Sequence, residues 1–370
     1  METSDRLSVR ELQPMKVPAG ITEDYIDCRA SCGLTWHVLK AGDPGKPLVL
    51  FCHGYPELAY SWRKVLPRVA EAGYYCVAMD QRGYGRTMGW PRQPFYEVEL
   101  NDYVFTNLVR DLVCLVYNLG YTEVFSIVGH DFRGVSSAIA ALMRPDIFRS
   151  TIQLSHPHHA PPTPPFGDQL AKPKLDIQTE LAKLDPPRKH YKWYNSTPEA
   201  ASDWDNPPLG LEKFLRGYFY LKSADWTRNN PRTLKGWNAQ ALEVMPEYYV
   251  MRKELSMPET VGQNMESEDY TKSERWLSRE DPQTATTPLS ARDMLLYAGR
   301  RIEVPCTFIN GNQDWGNCQQ PGAIESYKDP KTVKPGCFRG STLINGAGHW
   351  VQQEQPEAVI QAILSFFRTL

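Results

Sequence analysis

The chain has 370 residues and a net charge of −2, from 41 Lys and Arg against 43 Asp and Glu. Hydrophobic residues make up 41% and charged residues 23%, a balance that excludes a disordered, collagen-like or coiled-coil chain. No apolar run approaches the roughly 18 residues of a membrane span, and the near-neutral charge gives no electrostatic basis for binding nucleic acid. The polar first residues show no secretory signal, so we expect a cytoplasmic protein that contacts neither nucleic acid nor a membrane.

Strands alternate with helices over the first 155 residues. A leading hairpin is predicted at 25–39, with Gly33 near its turn. Short apolar runs then predict strands, and segments of helical spacing separate them (strands at 47–52, 74–79, 124–128 and 150–154; helices at 60–72, 102–119 and 135–143). This alternation predicts crossover units and an α/β fold with a mainly parallel sheet.

The alternation stops after residue 156. Residues 157–208 contain eleven prolines, and the segments that follow are rich in Trp and Tyr with helical spacing. Further strands are predicted only at 306–309 and 341–344, before a last amphipathic helix. An interruption of about 145 residues is too long for a loop in a compact domain. We therefore expect a core built from residues 1–156 and 301–370, with a mostly helical cap inserted at 157–300.

Asp131 stands between an apolar strand and a segment of helical spacing, directly after Gly129-His130. This is the context of a nucleophile elbow with Asp in place of Ser, where a sharp turn lifts the side chain off the sheet beside a helix N-terminus. Asp is also a common N-cap residue, so the motif alone fits an ordinary helix start equally well.

Two later turns supply the partners that such a nucleophile needs. Asp314 follows the predicted strand 306–309, and His349 stands in a glycine-rich turn after 341–344. The order nucleophile, acid, histidine, each at the carboxyl end of a strand, is that of a hydrolytic triad in this architecture.

A third turn, His53-Gly54-Tyr55-Pro56, follows the predicted strand 47–52. A turn in this place can aim a backbone N–H at a developing oxyanion. The amides of Tyr55 and Phe132 are the predicted donors. The same four residues also fit an ordinary tight turn.

Four segments together resemble the epoxide hydrolase branch of the α/β-hydrolase superfamily: 53–56 (HGYP), 80–86 (DQRGYGR), 129–132 (GHDF) and 346–350 (GAGHW). The resemblance implies an α/β-hydrolase fold with a cap, and a cofactor-independent enzyme that opens epoxides to vicinal diols. It also implies Asp131 as the nucleophile that forms an alkyl ester, His349 as the base that activates water, and Asp314 as the acid that orients His349.

Opening an epoxide also needs an acid for the alkoxide, and this family uses two cap tyrosines. Residues 188–194 (RKHYKWY) resemble the segment with the first, which makes Tyr191 the candidate, followed by Tyr194. The segment expected to carry the second near its end, 279–289, is polar and shortened. Tyr297 lies beyond it in a pattern typical of a packed helix. Substitutes no better supported are Tyr248, Tyr249 and Tyr270.

Arg133 departs from the family pattern, in which a small residue stands two positions after the nucleophile. We interpret it as the partner of a structural carboxylate; the alternative is that it binds an anionic group of the substrate. The substrate is expected to be a small, mainly apolar organic molecule, with water as the second reactant. Its predicted contacts are His53, Pro56, Tyr194, Trp315 and Trp350.

No cofactor and no metal site are predicted, because the eight cysteines form no CxxC pair and the histidines at 156–159 lack further ligands at suitable spacing. Two other functions stay open. The chain could be a cyclase, isomerase or binding scaffold that uses the pocket without an ester. A dehalogenase is less well supported, since Phe132 cannot donate the N–H that a Trp in its place gives to a halide.

Overall fold

The structure is a computed structural model that describes residues 13–91, 93–164, 176–276, 293–319 and 321–370. Its strands are β1 (Thr22–Cys28), β2 (Leu34–Ala41), β3 (Leu48–Cys52), β4 (Tyr75–Met79), β5 (Ser126–His130), β6 (Thr151–Leu154), β7 (Arg188–His190), β8 (Val250–Arg252), β9 (Cys306–Gly311) and β10 (Phe338–Ile344).

The α-helices of the described ranges are α1 (Arg29–Cys32), α2 (Leu66–Glu71), α3 (Phe105–Asn118), α4 (Phe132–Met143), α5 (Ile177–Leu181), α6 (Tyr191–Tyr194), α7 (Pro198–Asp205), α8 (Leu211–Leu221), α9 (Ala239–Leu242), α10 (Met257–Asn264), α11 (Ser267–Ser273), α12 (Val351–Glu354) and α13 (Pro356–Phe367). Short 3₁₀ helices occur at Ala59–Trp62, Phe95–Glu97, Leu100–Tyr103, Asp293–Tyr297, Trp315–Asn317 and Glu325–Lys328.

Eight strands form one sheet in the order β1-β2-β4-β3-β5-β6-β9-β10. β2 is antiparallel to both neighbours, and every adjacent pair from β4 to β10 is parallel, which confirms the predicted mainly parallel α/β sheet. In the register, Cys52 lies opposite Gly129, and Leu154 lies opposite both His130 and Ile309. The carboxyl ends of β3, β5, β6 and β9 are therefore aligned, so the turns that follow them meet at one edge of the sheet.

The start of the sheet is the predicted hairpin, with one helical turn inserted. β1 pairs over its full length with β2, and α1 lies between them. Gly33 ends α1 with a φ of 78°, in the left-handed region that glycine adopts at little cost. The next long helix after β5 begins at Phe132 rather than at the expected residue 135, because the chain turns into α4 directly after Asp131.

The central strands of the sheet are buried on both faces. Alternate residues of β3 belong to two different apolar clusters: Leu48 and Leu50 pack with Trp36 on one face, and Val49 and Phe51 pack on the other. This alternation is what a strand covered by helices on both sides requires. The rigid sheet that results fixes where each strand ends.

A third apolar cluster is formed by the segment between β6 and β9. It joins aromatic side chains of α7 and α8, such as Trp204 and Tyr218, to Trp315 and Trp350 from the turns after β9 and β10. The His349 amide donates to the Lys222 carbonyl at 2.9 Å, directly after α8. Part of the segment 176–276, called the cap below, thus packs against turns at the carboxyl edge of the sheet. All strands of that sheet lie within the predicted core segments 1–156 and 301–370.

None of the helices in the part of the chain that the structure describes is both long and apolar enough to span a bilayer.

Candidate active site

Asp131 occupies a sharp, strained turn between β5 and α4. Its φ of 53° and ψ of −124° are rarely adopted by a residue with a side chain. The turn is held because the Asp131 amide donates to the Leu154 carbonyl at 3.0 Å and its carbonyl accepts from the Gly134 amide at 2.9 Å. A Cβ on Gly129 would lie 2.0 Å from the Arg133 carbonyl oxygen, so the turn closes only with glycine there. The strain presents the carboxylate above the sheet.

The three side chains predicted to form a triad lie in a row. His349 Nε2 is 3.4 Å from Asp131 Oδ2, and His349 Nδ1 is 3.1 Å from Asp314 Oδ1. Asp314 is fixed in turn, since its Oδ1 accepts from the Gly316 amide at 2.7 Å. His349 therefore stands between two carboxylates, one at each ring nitrogen.

Burial and mutual charge set the protonation of this row. Asp131 is 9% exposed, and Asp314 and His349 are 2% exposed each. Burial raises the pKa of Asp131, but the close contact and charge of His349, with the charge of Lys222, outweigh it and hold that pKa well below its usual value. Burial and Lys222 lower the pKa of His349, yet Asp314 and Asp131 outweigh them and leave it raised. The resting site is thus an ionised carboxylate beside an imidazole that holds its proton firmly.

The turn after β3 lies against the nucleophile. The Tyr55 amide donates to Asp131 Oδ1 at 3.2 Å. A Cβ on Gly54 would come within 2.6 Å of the Asp131 Cβ, so this close approach also needs glycine. The Phe132 amide belongs to the first residue of α4, where backbone N–H groups have no acceptor within the helix. The Tyr55 amide therefore contacts the Asp131 carboxylate, and the Phe132 amide is the next N–H along the chain.

A buried hydrogen-bond network holds the histidine turn against the turn after β3. His130 Nε2 is 2.7 Å from the His349 carbonyl oxygen, and His130 Nδ1 is 2.5 Å from Glu57 Oε2. Ser155 Oγ donates to the same His349 carbonyl at 2.8 Å. The backbone of His349 is therefore fixed from β5 and from the residue after β6.

A cavity of about 220 Å³ opens over Asp131, between the sheet edge and α6 and α8. Its wall is mainly aromatic and aliphatic, with several basic side chains. The described residues that line it are Tyr55, Arg82, Tyr84, Tyr103, Leu108, Asp131, Phe132, Arg133, Val135, His156, Tyr191, Lys192, Asn195, Tyr218 and Lys222.

Two cap tyrosines share the cavity with Asp131. Burial, followed by the negative charge of Asp131, raises the pKa values of Tyr191 and Tyr218 far above that of a free phenol. Lys222 Nζ lies 3.4 Å from Tyr218 Oη, and burial lowers the pKa of this lysine to about 8. Both tyrosines are therefore protonated at neutral pH, and an ammonium donates to the oxygen of one of them.

Five residues predicted to contact the substrate are not among the described residues of the cavity wall. His53 is fully buried, with Nδ1 at 2.8 Å from the Gly54 carbonyl oxygen, and Pro56 is buried after a cis peptide bond. Tyr194 donates to Asp203 within the cap at 2.7 Å. Trp315 and Trp350 pack in the cap cluster, and Trp350 Nε1 donates to the Phe219 carbonyl. His53 and Trp350 pack against the wall residues Tyr84 and Tyr218.

The second tyrosine of the cavity wall is Tyr218, which was not among the candidates predicted from the sequence. Tyr297 packs against the core cluster on the Trp36 face of the sheet, and Tyr270 lies under Lys213. Tyr248 and Tyr249 are buried behind the wall. The polar segment 279–289, expected to carry the second tyrosine near its end, lies outside the described residues. Tyr218, which reaches the cavity, looked like one more aromatic core residue of α8 and carries no local motif.

Arg133 was expected to pair with a structural carboxylate. Among the described residues it makes no ion pair within 4 Å, and its Nε meets no hydrogen-bond acceptor although the side chain is only 4% exposed. Its guanidinium stands 5.9 Å from the ring centre of Phe132 and forms part of the cavity wall. The preferred structural interpretation of Arg133 is therefore not supported.

The chain matches the family model described as alpha/beta hydrolase fold over residues 47–356. It is 31% identical over 359 residues to Epoxide hydrolase A of Mycobacterium tuberculosis, covering 94% of this chain and 98% of the relative. A solved epoxide hydrolase from an endophytic Streptomyces superposes with a TM-score of 0.67 at 24% identity, covering 95% of this chain and 96% of its own. Epoxide Hydrolase A from Mycobacterium thermoresistibile gives a TM-score of 0.65 at 25% identity, covering 94% and 98%. The chain belongs to the α/β-hydrolase fold family and, within it, to the epoxide hydrolases.

Proposed function

We propose that this enzyme opens the epoxide ring of a small, mainly apolar organic molecule to a vicinal diol, through an alkyl ester on Asp131. The observation that carries the proposal is the placement of a strained, ionised Asp131 between His349 on one side and protonated cap tyrosines on the other. A carboxylate is a poor nucleophile toward amides, but it can attack a strained sp³ carbon when an acid protonates the leaving oxygen. The names of the relatives point to the same chemistry.

In the first half of the reaction, an Asp131 carboxylate oxygen attacks one epoxide carbon. The bond between that carbon and the ring oxygen breaks, and the alkoxide takes a proton from Tyr191 or Tyr218. We assign the second acid to Tyr218 because Lys222 donates to its oxygen, which leaves the phenolic proton for the substrate. The ammonium also favours the tyrosinate that remains.

In the second half, His349 takes a proton from water, and the hydroxide attacks the carbonyl carbon of the ester. The Tyr55 and Phe132 amides stabilise the tetrahedral oxyanion, a contribution of roughly 3–4 kcal/mol per donor. The diol leaves with the proton from the imidazolium. The proton left on the Asp131 carboxyl group passes to His349 and restores the resting imidazolium, so one water is consumed.

The charges of the site favour this order of steps. Esterification removes the Asp131 charge, which is one of the effects that raise the pKa of His349. Burial and Lys222, which lower that pKa, remain. His349 therefore gives its resting proton to the tyrosinate and is a neutral base when the ester is present and water must be activated.

A non-hydrolytic role and dehalogenation are less well supported. A cyclase, isomerase or binding scaffold has no need for a histidine oriented by Asp314 beside the nucleophile. A dehalogenase needs an N–H donor for the halide, and the side chain of Phe132 offers none. The complete water-activating pair favours hydrolysis.

The ester is tested by blocking its hydrolysis. His349→Gln keeps Asp131 in place but removes the base, so exposure to a panel of epoxides and alkyl halides should leave a covalent adduct, seen by intact mass. The compound that forms the adduct, an epoxide or an alkyl halide, identifies the reaction class. The double variant with Asp131→Asn is the control and should show no adduct. Absence of an adduct across the panel in His349→Gln would contradict an ester mechanism.

The two acids are tested by removing single hydroxyl groups. Tyr191→Phe and Tyr218→Phe should each lower kcat/KM on an epoxide about 100-fold, since general acid catalysis contributes on the order of 10²–10⁴. Tyr270→Phe is the matched control, because this cap tyrosine is not among the described residues of the cavity wall. Its kcat/KM should stay close to that of the unmodified enzyme. An unchanged kcat/KM in Tyr218→Phe would contradict the assignment of Tyr218 as the second acid.

The pH dependence of ester breakdown is tested in single-turnover experiments. The rate should rise with pH through the pKa of His349, since only the neutral imidazole accepts a proton from water. Lys222→Met removes a cation that lowers this pKa, so the rise should move to higher pH. Lys213→Met removes an exposed cation of α8 and should leave the rise in place. A rise that stays fixed in Lys222→Met, or moves to lower pH, would refute this electrostatic link.

A further inference from the structure

Arg133 is a buried cation without a counterion in the described part of the chain. It lies in the first turn of α4, two residues after the nucleophile, and 96% of its surface is removed from solvent. A guanidinium stays charged at any ordinary pH, and burying it without a counterion destabilises the folded protein. A position next to the nucleophile that carries such a cost is more typical of a binding site than of a structural contact.

The second arginine of the cavity wall shows what a structural partner looks like. Arg82 donates from Nε and Nη2 to the two carboxylate oxygens of Asp111, at 2.7 and 3.0 Å. Asp111 also acts on Arg133, but only at longer range, together with Tyr84 and Cys52. The carboxylate that acts on Arg133 is therefore already engaged by Arg82, and Arg133 is left for a ligand.

The charges along the cavity are unevenly distributed. Asp131 is the one carboxylate among the described residues of the wall, against four cations. Lys192 and Lys222 both act on Asp131, and Arg82 is neutralised by Asp111. Arg133 forms no ion pair with a described residue, and Asp131 is not among the groups whose charges shift its pKa. Its guanidinium is therefore available to an anionic ligand.

Building on the proposed function, we propose that the substrate is an epoxide acid, and that Arg133 binds its carboxylate. A planar guanidinium matches a carboxylate, which it can hold by two parallel hydrogen bonds. The epoxide ring then lies over Asp131, and the aromatic wall holds the carbon skeleton between them. A carboxylate at the opposite end from the ring is kept away from the Asp131 charge, which would repel it.

The inference is tested by binding, without turnover. Calorimetry at pH 7 compares 3-phenylpropanoate with the neutral 3-phenylpropan-1-ol, neither of which contains an epoxide. The carboxylate should bind at least about tenfold more tightly, as expected for a charge-assisted hydrogen bond. Arg133→Met should reduce this preference to about onefold. Arg300→Met, which removes an exposed cation outside the cavity wall, should preserve it.

The melting temperature separates binding from a structural role. Arg133→Met replaces an unpaired buried charge by an apolar chain of similar length, so the ligand-free variant should melt no lower than the unmodified protein. A large fall in melting temperature would assign Arg133 to the fold and overturn the inference. Arg133→Lys, which keeps a cation, should recover part of the preference for the carboxylate.

Other outcomes overturn the inference without touching the proposed function. Equal binding of the acid and the alcohol by the unmodified protein, while it hydrolyses neutral styrene oxide, would refute the carboxylate site and leave epoxide hydrolysis intact. Loss of the preference in Lys192→Met but not in Arg133→Met would place the anion elsewhere. A strong preference for the acid without turnover of styrene oxide or trans-3-phenylglycidate would support the site and count against the proposed hydrolysis.

Discussion

The site depends on the strained turn that lifts Asp131 over the end of β5. Each condition for this turn is local: glycine at position 129, the hydrogen bond from the Asp131 amide to Leu154, and the helix that starts at Phe132. The strain places the carboxylate beside His349 and under the Tyr55 amide. With any ordinary helix start at this point, the nucleophile would not face its base.

The surrounding structure keeps this geometry in place. His130 and Glu57 tie the His349 backbone to the turn after β3, and the Lys222 carbonyl ties it to the cap. The cap therefore contributes more than a cover. It sets the position of the base through the backbone, and through the Lys222 side chain it shifts the proton affinity of His349.

The sheet and the triad could be predicted from the sequence because their signals are local. Asp131 and Asp314 follow predicted strands closely, His349 lies in a turn just beyond one, and a parallel sheet brings such turns to one edge. The cavity wall could not be predicted in this way. Trp315 and Trp350 flank triad residues in sequence, but their side chains pack into the cap, whereas Tyr218 reaches the cavity from the middle of α8. Which aromatic of an amphipathic helix faces a pocket is decided by tertiary packing, not by spacing.

Arg133 differs from these wall residues, because the sequence singled it out but did not predict its role. The sequence marked it as unusual because a small residue was expected there, but the preferred interpretation was structural. The burial of its guanidinium and the engagement of Asp111 by Arg82 became visible only in three dimensions. The mainly apolar substrate that the cap composition suggested now acquires one charged group, so the expected ligand has an apolar body and an anionic end.

The central claim is that the oxygen added to the product passes through Asp131. A single turnover of excess enzyme on an epoxide in ¹⁸O-enriched water tests it directly, with mass spectrometry of the diol and of the peptide that contains Asp131. An ester mechanism predicts an unlabelled diol and ¹⁸O in the Asp131 carboxylate, because water attacks the ester carbonyl. Label in the diol of the first turnover, with none in Asp131, would mean that water attacks the epoxide directly and would contradict the account.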